Sequence, residues 1–468
     1  MTRSRASWAL FLATRVAGLV IDSAALAAAY GCAVALRFDF HPPRWGWRGV
    51  AISFATVAFV HLAALVACGC YRQAWRRISL RQLPRYFLAT AAAAAALTAL
   101  RFLTPLDDFS HVRPPYSVTL MTFALASLAL VGWRIVWSWL SMSRVGAAAL
   151  LERNVRRMDA TAAARFLGGK TVMVTGAGGS IGSELVRQVA AAGPKLLLLV
   201  ERGENALYEI DREMRTMSRF ASCPMKPLMV DINDRARMED VFNFYRPDVV
   251  LHAAAYKHVP MVEMNPREGE RNNTEATRSL AELSKRFGVA RFVMISTDKA
   301  VNPISVMGKT KRAAEKAILA LNEPDDGRCG KSTSFCAVRF GNVLGSSGSV
   351  VPLFREQIAK RLPVTVTHPD MKRYFMTVEE AVGLVLQAAS RSEKAIYTLD
   401  MGEPVRILDL AEQMIRQAGY RPYVDIPIVF TGIRPGEKLF EELDISEKSA
   451  FKTDMARIYV TKEEKEQT

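Results

Sequence analysis

Four apolar stretches within the first 140 residues, at roughly 8–36, 49–71, 86–104 and 116–140, constrain this chain more than any other feature. A helix needs ~20 such residues to cross a bilayer. A hydrocarbon interior accepts only segments that satisfy their own backbone hydrogen bonds. The pattern therefore predicts an α-helical membrane anchor of four spans over 1–144. The first stretch is too long for a cleaved signal peptide and has further spans behind it, so it is expected to stay in the protein.

Composition divides the chain at the same place. All seven Trp lie before residue 140, and residues 1–144 hold 15 Arg, no Lys, four Asp and no Glu. About +11 of the net +16 therefore sits there, while the other 324 residues carry about 47 basic and 42 acidic groups. Arginine interleaved with apolar stretches suits a membrane surface. The near-neutral second half has no aromatic–basic repeat, so nucleic acid is not an expected partner. The six Cys show no paired spacing and the six His do not cluster, so neither a disulfide framework nor a metal site is supported.

Short-loop arginines set the orientation of such spans. Arg72, Arg76, Arg77, Arg81 and Arg85 lie between spans two and three, whereas Asp107 and Asp108 with Arg113 lie between three and four. Arg44 and Arg48 in the first loop weaken the contrast, and Arg144, Arg153, Arg156 and Arg157 follow span four. The best fit places both termini in the cytoplasm. Arg15 and Asp22, seven residues apart, share a helical face and read as an internal ion pair or a packing contact with the next helix. No polar set converges in these spans, which argues for an anchor over a membrane-embedded enzyme. Residues 141–168 show helical spacing at Leu150, Leu151, Val155 and Met158, so 145–168 reads as a juxtamembrane linker.

At residue 169 the text changes character, and 169–468 reads as one catalytic domain. Thr171–Thr175 reads as a buried parallel strand, and Gly176, Gly179 and Gly182 follow it with the spacing TGxxGxxG. Ser183–Ala192 reads as the next helix. Such glycines let the backbone turn tightly and approach a pyrophosphate seated on a helix N-terminus, here at Ser180, Ile181 and Gly182. A second strand, Leu196–Val200, ends at Glu201, about twenty residues on, where an acid binds a ribose diol. Glu201 favours NAD because a carboxylate repels a 2′-phosphate; Arg202 beside it leaves NADP open. Further strands are expected at Pro227–Val230, Val249–His252, Arg291–Ser296 and Phe335–Arg339, with helices between, which predicts an α/β doubly wound Rossmann fold. Asp231 and Ile232 end one strand where an adenine would lie. Ala253 and Ala254 end another, where small side chains let a cofactor pass; packing explains either pair equally well.

The segment Ser296-Thr297-Asp298-Lys299-Ala300-Val301-Asn302-Pro303 follows a strand and precedes a helix. Together with the glycine fingerprint, "VMGKTKRAAE", "VRFGNVLGSSGSVVPLF", "HPDMKRYFMT" and "RPGEKLFEEL", it resembles the CapD-like polysaccharide-biosynthesis family over about 169–445. Those proteins are membrane-anchored nucleotide-sugar 4,6-dehydratases of the extended short-chain dehydrogenase/reductase superfamily. The four-span N-terminus, with "CYRQAWRRISLRQLPR", resembles theirs as well. Two departures stand out. Large membrane-bound members carry an extra Rossmann-like domain between anchor and catalytic region, where this chain has about 28 residues. Most of the superfamily has Tyr-x-x-x-Lys, whereas Met307 stands four residues before Lys311; Met there resembles the large membrane-bound branch. Lys309 is also bulkier than the Ala expected beside it.

The resemblance implies hydride transfer from sugar carbon 4, loss of the 6-hydroxyl, and return of hydride to carbon 6. That cycle needs an acid and a base side by side. It points to Asp298 as acid, Lys299 as base, Thr297 as proton relay, Met307 as packing near the nicotinamide and Lys311 as a contact to the nicotinamide ribose. Asn342, Arg373 and Arg434 match the family's nucleotide-diphosphate contacts, and Glu437, in the run Arg434-Pro-Gly-Glu437-Lys438, joins the expected substrate-binding residues. Lys257 faces the substrate, and Val351 and Phe354 line a base pocket with a small C-terminal substrate-binding part. The implied substrate is UDP-N-acetylglucosamine, with a 5-inverting dehydratase, a 4-epimerase or a non-enzymatic nucleotide-binding scaffold as alternatives. The expected setting is a bacterial-type inner membrane, multi-pass, with the catalytic domain cytoplasmic and homo-oligomerisation left open.

Overall fold

The structure, a computed structural model, describes residues 2–41, 43, 46–71, 83–103, 114–142, 160–220, 222–322, 332–391, 393–443, 445 and 450–461. Compact packing divides the chain near residue 146. The arginine-rich segment 72–82, the loop 104–113 and the helical spacing expected around 150–158 lie outside the described residues, as does the Arg15 side chain.

The first unit is built from α1 (Thr2–Arg37), α2 (Gly46–Ala67), α3 (Leu83–Leu103) and α4 (Tyr116–Met142). All four are long and apolar enough to cross a membrane. Several large apolar side chains, among them Leu36, Phe59, Phe102, Leu120 and Leu128, face outward, whereas Ala29, Ala33, Ala89, Ala93 and Ala126 are buried alongside Leu26, Leu65 and Leu130. Small residues at helix–helix contacts are what association in lipid favours, since burying apolar bulk gains nothing there. Asp22 of α1 finds its partner on α4: Arg134 Nη2 lies 2.7 Å from both carboxylate oxygens. Tyr71 donates its hydroxyl to Asp22 at 2.8 Å, and the Arg134 guanidinium lies 3.9 Å from the centre of the Tyr86 ring.

The second unit centres on one nine-stranded sheet. Its strands are β1 (Thr171–Thr175), β2 (Leu196–Glu201), β3 (Met225–Met229), β4 (Val249–His252), β5 (Arg291–Ile295) and β6 (Ser334–Arg339), then β11 (Ile396–Leu399), β14 (Ala450–Lys452) and β15 (Ile458–Thr461). Short pairs outside it are β7 (Asn342–Val343) with β10 (Phe375–Met376), β9 (Lys372–Arg373) with β12 (Val405–Arg406), and β8 (Val364–Val366) with β13 (Ile428–Phe430). The sheet order is β3-β2-β1-β4-β5-β6-β11-β15-β14. Pairing from β3 to β11 is parallel throughout, and β15 and β14 close the edge antiparallel. This is the doubly wound Rossmann order, with its switch point between β1 and β4.

β1, β4 and β5 are buried along their whole length, as strands covered on both faces must be. Two apolar layers sit on the two faces, one around Leu185, Val189, Val382 and Val385, the other around Phe242, Leu280, Ala314 and Ile318. The end of the linker forms a helix, Ala160–Leu167, whose Leu167 is fully buried in the first of these layers.

Candidate active site

The functional side chains collect at the carboxyl ends of the strands, the edge at which ligands bind in open α/β sheets. Gly176 leaves β1 with φ +69, a conformation glycine adopts without cost. A Cβ there would lie 2.7 Å from the Ala254 nitrogen, and one on Gly182 would lie 1.8 Å from the Gly176 carbonyl oxygen. The fingerprint is thus a close three-way packing of loop, helix Ser180–Ala191 and the end of β4. One cleft is lined by Gly176, Gly179, Glu201, Arg202, Asp231, Ile232, Ala253 and Ala254 together with Tyr256 and Asn272. Eight residues expected at the cofactor therefore meet in one cavity. Ser180, Ile181 and Gly182 form the first helical turn beside it.

Glu201 holds the cleft's shape with both carboxylate oxygens. The Gly178 and Gly203 backbone N–H groups donate to it at 3.2 and 3.0 Å. Arg202 turns across the mouth, donating to the Tyr256 hydroxyl at 2.8 Å with its guanidinium 4.9 Å from that ring's centre, and reaching Asp231 at 3.7 Å. Burial works against the Asp231 charge, yet hydrogen bonds from Asn233 and the nearby Arg202 hold its carboxyl below the usual range. The cradle that a Cβ would fill, the helix N-terminus and the half-buried acid at the end of β2 fit a dinucleotide.

Two strands further along, β5 ends in a turn that packs acid and amine together. Thr297 caps the 3-10 turn Asp298–Ala300. Thr297 Oγ1 donates to Asp298 Oδ1 at 2.9 Å, and Lys299 Nζ donates to the same oxygen at 2.9 Å and to Asn342 Oδ1 at 3.2 Å. Asp298 is buried and Lys299 half-buried. Neighbouring residues thus share one carboxylate oxygen, while Asp298 Oδ2 has no hydrogen-bond partner among the described residues.

The helix Val306–Ala320 begins at Ser305, whose side chain accepts from the Gly308 N–H. Met307 is buried against Val259 and Val262 with Tyr256 beside them. Lys311, one turn on, donates to the Ile295 carbonyl at 3.0 Å, and burial brings its ammonium down to about 8 against the opposing pull of Glu315. One of its three hydrogens is thus committed to the end of β5. Glu315 takes two hydrogen bonds from the buried Arg339 and one from Ser296, which locks this helix to β5 and β6. Asn273 ties cleft and helix together: its Oδ1 accepts from the Tyr256 N–H, and its Nδ2 donates to the Tyr256 carbonyl and to Thr310 Oγ1.

The residues expected at the substrate are distributed unevenly. Asn342 stands on Lys299, as described. Arg373 is buried and spends its guanidinium on the backbone carbonyls of Lys372, Lys438 and Leu439. Arg434 is exposed and hydrogen-bonds Glu437 at 2.5 and 3.1 Å. Lys257 is exposed beside the cleft residue Tyr256. Val351 and Phe354, on the helix Val350–Ala359, are 1% and 0% exposed, so neither presents a surface. Sequence reading passed over Asn273, Glu315, Arg339 and, at the lysine itself, Glu441, whose Oε1 lies 3.8 Å from Lys299 Nζ. The spacing of Glu315 four residues after Lys311 was the one local signal among them.

The chain is 50% identical over 304 residues to a capsular polysaccharide biosynthesis protein, CapD, of Staphylococcus aureus, an alignment covering 65% of this chain and 50% of that protein. The chain thus spans about half the length of that relative. It is 32% identical over 299 residues to a UDP-N-acetylglucosamine 4,6-dehydratase (inverting) of Campylobacter jejuni, covering 62% of this chain and 82% of the relative. Among solved structures, Pen from Bacillus thuringiensis superposes with a TM-score of 0.57 at 30% identity, over 63% of this chain and 90% of that one. The family model described as polysaccharide biosynthesis protein matches residues 172–463, the stretch that builds both the cleft and the Asp298–Lys299 turn, and the chain belongs to that family.

Proposed function

We propose that the chain is a membrane-anchored, NAD-dependent nucleotide-sugar 4,6-dehydratase, acting on UDP-N-acetylglucosamine to form its 4-keto-6-deoxy derivative for polysaccharide or glycan synthesis. The observation that carries this reading is the Thr297–Asp298–Lys299 cluster, in which a hydroxyl and an amine both donate to one Asp298 carboxylate oxygen, at the sheet edge that also holds the glycine-lined cleft. The similarity to the inverting dehydratase of Campylobacter jejuni supports the sugar and the reaction type. In this reading residues 1–144 anchor the protein in a bacterial-type inner membrane, 145–168 link, and 169–468 catalyse on the cytoplasmic side.

A nicotinamide bound in the cleft would supply hydride acceptance from sugar carbon 4 and its return to carbon 6. The chain's own work is proton movement. Thr297 Oγ1 relays the 4-hydroxyl proton toward Asp298. The ketone formed at carbon 4 acidifies carbon 5, and neutral Lys299 takes that proton on Nζ. Asp298, in its acid form, protonates the leaving 6-hydroxyl. Met307 carries no exchangeable proton and contributes shape. Glu201, already bound to two backbone N–H groups, favours NAD over its 2′-phosphorylated form, and Arg202 is occupied by Tyr256 and Asp231.

The test uses UDP-N-acetylglucosamine deuterated at carbon 4. A dehydratase moves the label into the product methyl group, and in heavy water solvent deuterium enters at carbon 5. Label returned to carbon 4 with no methyl formed would make the protein a 4-epimerase; labelled NADH released in proportion to product would make it an ordinary dehydrogenase. Either result overturns the proposal. The named relative makes inversion at carbon 5 the second reading, and the product's NMR couplings separate the two.

A further inference from the structure

Glu441 lies 142 residues beyond Lys299 in the chain yet stands against it in space. Its side chain is 3% exposed. Oε1 lies 3.8 Å from Lys299 Nζ and 3.7 Å from Arg373 Nη2, and Oε2 has no hydrogen-bond partner among the described residues. Both distances exceed a hydrogen bond. Leaving a buried carboxylate oxygen unsatisfied is unfavourable, so packing alone gives no reason to retain it here. Its placement is nevertheless well determined: Arg373 holds the backbone at Lys438 and Leu439, and this fixes the segment from which Glu441 projects.

We infer that Glu441 is a positioning residue for Lys299 that sets how tightly the lysine holds its proton, an inference that rests on Lys299 being the base of the proposed reaction. The base must be neutral before it removes the carbon-5 proton and must carry that proton while the 6-hydroxyl departs. The N–H bond formed on Lys299 balances the C–H bond broken at carbon 5, and the new ammonium needs an anion that is not itself giving up a proton. Asp298 is engaged as the acid, so its charge changes during the same step. Glu441 is the second carboxylate within 4 Å of Nζ, and its charge is free to stay constant.

The charged and titratable groups around this pair come from several elements. Asp298 lies on the lysine's own turn, Arg373 on β9, Lys438 on the Glu441 segment, and Tyr374 with Glu403 on the far side of Asp298. Burial pushes the Glu441 carboxyl up, with Lys299 and Arg373 acting against that and Asp298 adding to it.

The experiment measures the lysine directly, without needing turnover. The full-length protein in detergent is labelled with trace acetic anhydride across a pH series, and the Lys299 peptide is quantified by mass spectrometry against exposed Lys452. In Glu441→Gln the Lys299 midpoint should fall by about one to two pH units, the effect of removing an opposite charge at this range. Glu441→Asp, which keeps the charge but shortens the reach, should fall between, and it carries the test if Gln prevents folding. The acid limb of kcat/KM should move the same way. An unchanged or raised Lys299 midpoint in the variants overturns the inference. A lowered midpoint in a protein whose wild type does not turn over UDP-N-acetylglucosamine upholds the inference and overturns the proposed substrate instead.

Discussion

Gly341 offers a one-methyl test of Asp298, the proposed acid. It follows β6 and backs directly onto Asp298: a Cβ at this position would lie 2.9 Å from Asp298 Oδ2, 3.2 Å from the Tyr374 Cβ and 3.4 Å from the Met401 Cε. Ordinary contact begins near 3.4 Å, so Gly341→Ala requires the carboxylate to retreat by about half an ångström. The methionine end can bend away. Asp298 cannot move freely, because its other oxygen is held at 2.9 Å by both Thr297 and Lys299. Rotation of the carboxylate therefore disturbs the proposed acid and base together. Catalytic groups tolerate roughly 0.5 Å of misplacement, and about 1 Å can cost 10²-fold, so kcat for dehydration should fall ~10-fold or more. Overpacking by one methyl should cost stability only ~1–3 kcal/mol. The assay is product NMR on UDP-N-acetylglucosamine, paired with the thermal midpoint and with cofactor content after purification. Turnover within about threefold of wild type in Gly341→Ala, alongside an inactive Asp298→Asn, would refute the claim that this contact sets the carboxylate position.

Three further outcomes follow from the geometry. Lys299→Ala should lower turnover by ~100-fold or more, while Met307→Leu, which conserves volume in an apolar patch, should stay within about tenfold; a collapse of the Leu variant in the same product assay would give the thioether a direct role. Arg134→Leu strands Asp22 in a buried site and should cost ~3–5 kcal/mol, whereas Arg134→Leu combined with Asp22→Asn should recover most of that loss in detergent thermal melts. His252, enclosed between Thr175 and Thr277, is held down to about 3, chiefly by burial with Lys311 adding. The unfolded chain takes up that proton near pH 6.5, so the stabilising contribution is complete above 6.5 and is lost as pH falls toward 3, by up to ~1.4 kcal/mol per unit; His252→Gln should flatten the thermal midpoint between pH 7 and 5.

What could be read in advance depended on how locally each feature is encoded. Strands buried on both faces announce themselves as unbroken apolar runs, and Thr171–Thr175 and Val249–His252 fall where that pattern puts them. The strand expected at Pro227–Val230 is instead Met225–Met229. Among the described residues β2 alone pairs with it, its side chains are half-exposed, and its start is set by register with Leu197, which composition does not encode. The helix after the fingerprint opens at Ser180, three residues earlier than Ser183, because it begins directly from the packed glycine loop. In the first unit, span lengths were legible but pairing was not: Asp22 meets Arg134 across 112 positions, and a single arginine in an apolar run carries no sign of its partner.

The same division runs through the site. Thr297, Asp298 and Lys299 are contiguous, so their chemistry was visible as a phrase. Asn342, Gly341 and Glu441 reach that phrase only through the sheet order and the Arg373 clamp. Val351 and Phe354, three residues apart on a helix, fit a pocket wall and a core face equally well, and both are buried. Met307 is buried in an apolar patch with Val259 and Val262. The helix that carries it presents an apolar face at 307 and a committed ammonium at 311, while the closely spaced acid and amine come from the end of β5. In the proposed reaction a residue without a proton is tolerable on that helix because the Asp298–Lys299 turn, not the helix, would bring both a proton donor and a proton acceptor to the sheet edge.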